Sequence, residues 1–170
     1  MRIATLTAEG RGETDRLLAE LAETLIAEGV NAAGIVKHMA HESQFDNGCD
    51  MHVRVLPDGP VIPITQALGA GSDACRLDPA GIAASVAAVE GGDLANADLM
   101  ILNKFGPEEA EGRGFRTAIA TALEAGVPVL VGLGLGAQTR AAFEEFTAGM
   151  AEALPADAQA LAAWCRAGRA

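Results

Sequence analysis

The sequence predicts an α/β fold of three layers, a mostly parallel sheet between helices, with one antiparallel hairpin inserted. Three observations predict it. Short, continuous apolar runs such as Leu99-Met100-Ile101-Leu102 read as strands buried on both faces, the habit of parallel sheets. These runs alternate along the chain with stretches of helical apolar spacing. A Gly-rich turn containing Gly10 and Gly12 joins the first strand to the first helix, at the edge of the sheet where ligands bind in such folds.

The elements follow in order. Ile3 to Leu6 is the first strand. A helix runs from about Thr14 to Glu28, with Leu17, Leu18, Leu21, Leu25 and Ile26 on one face, and Gly29 ends it. Ala32 to Val36 is the second strand, and Met51 to Val55 alternates as a strand half exposed to solvent. Pro57-Asp58-Gly59-Pro60 is a turn signal, so Val61 to Ile64 returns as a hairpin partner whose prolines suit an edge; the inserted hairpin spans Cys49 to Ile64. Gln66 to Asp78 reads as loop, and Asp78-Pro79 caps a helix over Ile82 to Val89. Leu99 to Leu102 is a strand, Phe115 to Glu124 a helix stopped by Gly126, and Val127 to Val131 a strand. Thr139 to Ala153 is expected as one amphipathic helix and Asp157 to Arg166 as the last, with Trp164 as a packing anchor.

With 170 residues the chain suits a single domain over 1–170. Half the residues are hydrophobic and 21% are charged, which excludes intrinsic disorder. No apolar run approaches the roughly 18 residues of a membrane span, and the N-terminus lacks the pattern of a signal peptide. Three Cys at wide spacing do not make a disulfide framework. A cytoplasmic protein is expected. A net charge of −11 repels phosphates, which argues against nucleic acid and anionic membrane as partners. Only 12 residues are Lys or Arg, and several fall in loop-like stretches: Arg11, Arg76, Lys104 and Arg113. They are either the makings of a local anion site or ordinary surface charges.

Thr7-Ala8-Glu9-Gly10-Arg11-Gly12-Glu13-Thr14 occupies the place where a phosphate loop, G-x-x-x-x-G-K-[ST], would lie. There, glycines let backbone N–H groups converge on phosphate oxygens, the helix N-terminus adds its dipole, and the Ser/Thr holds magnesium. Gly12 and Thr14 are in register, but Thr7 replaces the first glycine and Glu13 the lysine. The alternative is an ordinary βα turn in which Glu13 and Asp15 serve the helix dipole. A phosphate-loop hydrolase also needs an acid at the end of a buried strand to help hold the metal. The strand ending at Leu102 is followed by Asn103-Lys104. Either Lys104 supplies the displaced positive charge, or Glu13 and Lys104 pair and the site is inactive.

The segment Asn103-Lys104-Phe105-Gly106 with Glu109-Ala110-Glu111-Gly112-Arg113-Gly114, preceded by Cys75-Arg76-Leu77-Asp78-Pro79, resembles the bacterial family catalogued as domain of unknown function 2478. The resemblance runs from Ile3 to Trp164. That family is distantly similar to small phosphate-loop nucleoside triphosphatases, and its members are associated with molybdenum transport and nitrogen-fixation loci. The resemblance therefore implies a phosphate-loop-like sandwich and the handling of molybdate or tungstate, with nucleotide and magnesium as further candidate ligands.

All three His, His38, His41 and His52, lie near Cys49. His-x-x-His followed by Cys-x-x-His offers zinc-type ligands without the usual paired cysteines; the alternatives are polar loop residues or imidazoles that contact an oxyanion. Three functions remain open. One is an oxyanion- or nucleotide-phosphate-binding protein using Gly10, Arg11, Gly12, Glu13, Thr14, Arg76, Asn103, Lys104 and Arg113. The second is a weak NTPase with displaced groups, in which Glu109 or Glu111 positions water or magnesium. The third is a regulatory or interaction protein with a vestigial site. The Ala-rich helices suit a homo-oligomer interface and a monomeric core equally.

Overall fold

The computed structural model describes residues 1–43, 50–66 and 76–168. Cys49, Cys75 and most of the expected loop between Gln66 and Asp78 lie outside the described residues. Strands β1 (Ile3–Leu6), β2 (Ala32–Lys37), β3 (His52–Val55) and β4 (Val61–Pro63) come first, with helix α1 (Glu13–Ala27) between β1 and β2. A two-residue ladder, β5 (Thr65–Gln66) with β6 (Arg76–Leu77), leads to α2 (Pro79–Glu90). Then come β7 (Leu99–Phe105), α3 (Pro107–Ala110), α4 (Arg116–Glu124), β8 (Val129–Leu133), α5 (Ala137–Thr147), β9 (Glu152–Leu154) and α6 (Ala158–Ala167).

The main sheet has the order β4-β3-β2-β7-β8-β1-β9. The pairs β2–β7, β7–β8, β8–β1 and β1–β9 are parallel, whereas β2–β3 and β3–β4 are antiparallel. The sheet is thus mostly parallel, and the antiparallel exception is the inserted hairpin.

Alternation along the strands explains the three layers. Leu99 and Ile101 of β7 pack with Leu18, Leu21 and Leu25 of α1 and with Leu161 and Trp164 of α6 on one face. Met100 and Leu102 point the other way, among Ile119 of α4, Phe143 of α5 and Val89 of α2. Phe105, Phe115 and Phe143 are among the largest fully buried side chains, and the rings of Phe105 and Phe143 meet edge to face at 5.1 Å. Asp78 caps α2 as expected, its carboxylate accepting from Ala80 N at 3.1 Å.

One expected helix is corrected. The stretch from Thr139 to Ala153 is not continuous: α5 stops at Thr147, Ala148 adopts φ 49° and Gly149 φ 70°, and Glu152–Leu154 becomes the edge strand β9. Ala-rich sequence favours helix, but the open edge of β1 offers a row of backbone partners that the helix does not. Pairing with β1 wins. Among the described residues no helix is long and apolar enough to cross a membrane.

Candidate functional site

The loop between β1 and α1 turns at Gly10 (φ 97°) and Gly12 (φ 76°), and Gly12 stands immediately before the helix. Left-handed backbone at that position excludes the Ser, Thr or Asp that ordinarily caps a helix, and no side chain caps α1. The start of α1 lies beside a cleft of about 240 Å³ at the carboxyl edge of the sheet. Gly10, Gly12, Thr14 and Asp15 line it from one side, Asn103 and Lys104 from another, and Gly132 to Leu135, at the end of β8, from the third.

Glu13 does not line this cleft. Its carboxylate accepts from Arg16 Nε at 2.6 Å, and Arg16 in turn reaches Glu20. The Arg16 guanidinium holds the Glu13 carboxyl below its ordinary range. The expected alternative of a Glu13–Lys104 pair is thereby corrected: the acid at the lysine position is neutralised one helical turn away. Arg11 is exposed beside it and does not line the cleft.

Asn103 and Lys104 belong to β7 rather than to a loop after it. Pairing with β8 is regular at Leu102↔Val131 and resumes at Phe105↔Leu133, so one extra residue is carried between them. A bulge of this kind re-aims side chains. Here Asn103 turns inward, 3% exposed, and Lys104 turns out into the cleft. The Asn103 amide donates to Asp15 Oδ1 at 3.0 Å and its oxygen accepts from Lys37 N at 3.0 Å, while Lys37 Nζ lies 3.7 Å from the other Asp15 oxygen. Asn103 thus ties the ends of β7 and β2 to the first turn of α1. Lys104 forms no ion pair with any described residue.

Sequence reasoning missed two contributors. Thr7 Oγ1 donates to Leu133 O at 2.7 Å, stitching the first loop to β8. The same oxygen accepts from Arg140 Nη2 at 3.2 Å, and Arg140 Nε donates to Gly134 O at 2.9 Å. Arg140 lies in the first turn of α5, six residues beyond Gly134, and its exposed side chain bridges the end of β8 to Thr7. Its one signal was the scarcity of cations in the chain.

Other expected site residues stand elsewhere. Arg113 binds Glu108 and Glu111 on the surface near α2. Arg76 is exposed in β6 and does not line the cleft. Glu109 is buried, 5% exposed, its two oxygens accepting from Gly106 N and Phe115 N at 2.9 and 3.0 Å. It is committed to holding the turn between β7 and α4, and Glu111 to Arg113, so neither is placed to position water in the cleft.

The ligands that hold magnesium in a phosphate-loop hydrolase are differently disposed here. Thr14 Oγ1 already accepts from Ala8 N at 3.0 Å, the strand-end acid is the amide Asn103, and Asp15 is held by Asn103 and Lys37. The histidines form a separate group. His41 Nε2 lies 2.9 Å from Asp50, the His41 and His52 rings are 3.9 Å apart, and His52 Nδ1 is buried without a partner among the described residues. His38 is joined to His52 through its backbone, N to O at 2.9 Å. Cys49 lies outside the described residues, and among those described no three His, Cys, Asp or Glu side chains are gathered to hold a metal.

Fold and cleft together define the class: a phosphate-loop-like three-layer sandwich with a cleft at the carboxyl edge of its sheet. Residues 3–164 match the family described as "Protein of unknown function (DUF2478)", and the chain belongs to that family. It is 35% identical over 167 residues to the "Molybdenum import ATP-binding protein ModC 2" of Bradyrhizobium diazoefficiens; the match covers 97% of this chain and 18% of that protein. Among solved structures, it resembles a human cancer-related nucleoside triphosphatase, with a TM-score of 0.61 at 17% identity, over 90% of this chain and 87% of the other. That likeness is one of fold.

Proposed function

We propose that this protein binds a small tetrahedral oxyanion, or the phosphate of a nucleotide, in the cleft between Gly10–Thr14 and Lys104, and that its physiological anion is molybdate or tungstate. The observation that carries the reading is the exchange of charge across the cleft. Glu13, at the lysine position, is turned out to Arg16, while Lys104 enters the cleft from the opposite wall with no ion-pair partner among the described residues. In a chain of net charge −11, a lysine without an ion-pair partner among the described residues, beside a helix start that no side chain caps, is the kind of local positive field an anion requires. The cleft of about 240 Å³ suits an ion with a few waters better than a whole nucleotide. A segment of this kind within a molybdenum import ATP-binding protein supports molybdate as the anion.

Binding is the whole activity in this reading. The lysine and the strand-end acid are displaced, and Asp15, the carboxylate that lines the cleft, is held by Asn103 and Lys37, so phosphoryl transfer lacks its usual machinery there. The protein acts in the cytoplasm as a carrier or sensor, without nucleic acid as a partner. Calorimetric titration with molybdate, tungstate, sulfate, ATP and GTP tests it. Saturable binding of molybdate or tungstate at one site per chain is expected. No heat with any anion removes the reading, and steady magnesium-dependent phosphate release from ATP replaces it with hydrolysis.

A further inference from the structure

We propose that Arg140 is the second cationic ligand of the anion, making the cleft a two-cation site selective for dianions. This inference rests on the oxyanion reading above. Gly134 is the meeting point. A Cβ placed on Gly134 would lie 3.6 Å from Lys104 Cε, and the Gly134 carbonyl accepts from Arg140 Nε at 2.9 Å. Lys104, which lines the cleft, and Arg140, which is exposed and reaches the cleft wall through its hydrogen bonds to Gly134 and Thr7, thus approach one residue from different elements, β7 and α5. Neither is paired with a carboxylate among the described residues, although Asp and Glu outnumber Lys and Arg by 23 to 12 in the chain. Two scarce cations that reach the same cleft residue without a carboxylate partner among the described residues are the makings of a site for an external anion.

The way Arg140 is held supports the role. A guanidinium has five N–H donors in a fixed fork. Arg140 uses Nε on Gly134 O and one hydrogen of Nη2 on Thr7 Oγ1, and both partners line the cleft. Nη1 and the second Nη2 hydrogen have no partner among the described residues. Thr7 Oγ1 spends its own hydrogen on Leu133 O, so its lone pairs are what remain for Arg140. Thr7 stands where a phosphate loop has its first glycine. The departure that removes a glycine thus installs the acceptor that orients a cation, and Lys104 with Arg140 takes over from the lysine lost at Glu13.

Tungstate and perrhenate test this directly, being tetrahedral oxyanions of similar size with two charges and one. The wild type should bind tungstate far more tightly than perrhenate. Arg140→Ala should weaken tungstate on the order of tenfold or more, weaken perrhenate less, and so narrow the ratio; Arg140→Lys, which keeps the charge but not the fork, should keep most of the ratio. Circular dichroism and thermal melting of both variants report the fold. If both anions weaken equally in Arg140→Ala, or neither does, Arg140 is only a strap between Thr7 and Gly134 and the inference is wrong. If the wild type binds neither anion, the oxyanion reading itself fails, which is a different result from an unchanged variant.

Discussion

Glu13 and Arg16 are paired on the solvent side of α1, with Arg16 Nε 2.6 Å from Glu13 Oε1, and the cleft on the other side of the loop is spared the Glu13 charge. A carboxylate at that position would repel any phosphate if it faced inward. The i, i+3 spacing places the two side chains on one face of the helix, and Glu20 at the next turn holds Arg16 from its other end. The loop keeps its shape and amides while its acid is neutralised locally.

Lys104 should carry a large share of the binding. A charge-assisted contact is worth about 1.5–3 kcal/mol, so Lys104→Ala should weaken molybdate or tungstate binding by roughly 10- to 150-fold. Titration calorimetry gives the number, and unchanged affinity for every anion would falsify the assignment.

Restoring the phosphate-loop lysine should change the ligand. Glu13→Lys removes the acid, frees Arg16 from it and adds a cation at the start of α1. Nucleotide affinity should rise by about tenfold or more, on the scale of one charge-assisted contact, with no gain in hydrolysis because Asn103 still stands at the strand-end acid position. Fluorescent nucleotide titration and a phosphate-release assay measure the two effects separately.

Acid should erode two exposed ion pairs together. The hydrogen bonds from Arg16 to Glu13 and from Arg113 to Glu108 hold both carboxyls below their ordinary value of 4.5. A depressed folded-state pKa contributes stability that is present above the unfolded value and is lost as pH falls through the folded one. The melting temperature of wild type should therefore exceed that of the double variant Glu13→Gln, Glu108→Gln at neutral pH. The gap should close as pH drops below about 4.5. A gap independent of pH would mean the pairs add nothing through charge.

Glu109 should prove structural. Its carboxylate satisfies two buried backbone amides, so Glu109→Ala should cost about 3 kcal/mol in urea unfolding and leave tungstate affinity unchanged. Gly114→Ala should disrupt the same turn, because its Cβ would fall 2.1 Å from Glu109 Oε1 at a φ of +59°. Loss of binding in a folded Glu109→Ala variant would return this residue to the site.

Much of the fold was legible because burial imposes simple periods. Leu99 to Leu102 could only be a strand covered on both faces, and the Leu17–Leu18–Leu21–Leu25 stripe could only be a helix on that sheet. The hairpin was visible in the Pro-Asp-Gly-Pro turn. Edge strand β9 was not, because Glu152 to Leu154 carries helical propensity and is held by a neighbour remote in sequence. Likewise Arg113 and Glu109 look like chemistry in one dimension, and their partners, Glu108 and two backbone amides, became apparent only in three.

The sequence by itself determined the sandwich, the Gly-rich turn at the carboxyl edge and the exchange of acid and base at Glu13 and Lys104, because these follow from local period, turn chemistry and residue type. Tertiary structure decided where the charges point. The bulge between Leu102 and Phe105 turns Asn103 inward and Lys104 into the cleft, and the parallel pairing of β8 with β1 brings Thr7 within reach of Arg140, which also holds Gly134. Side-chain direction at a bulge and the approach of distant helices depend on packing across the whole sheet, which no local pattern records.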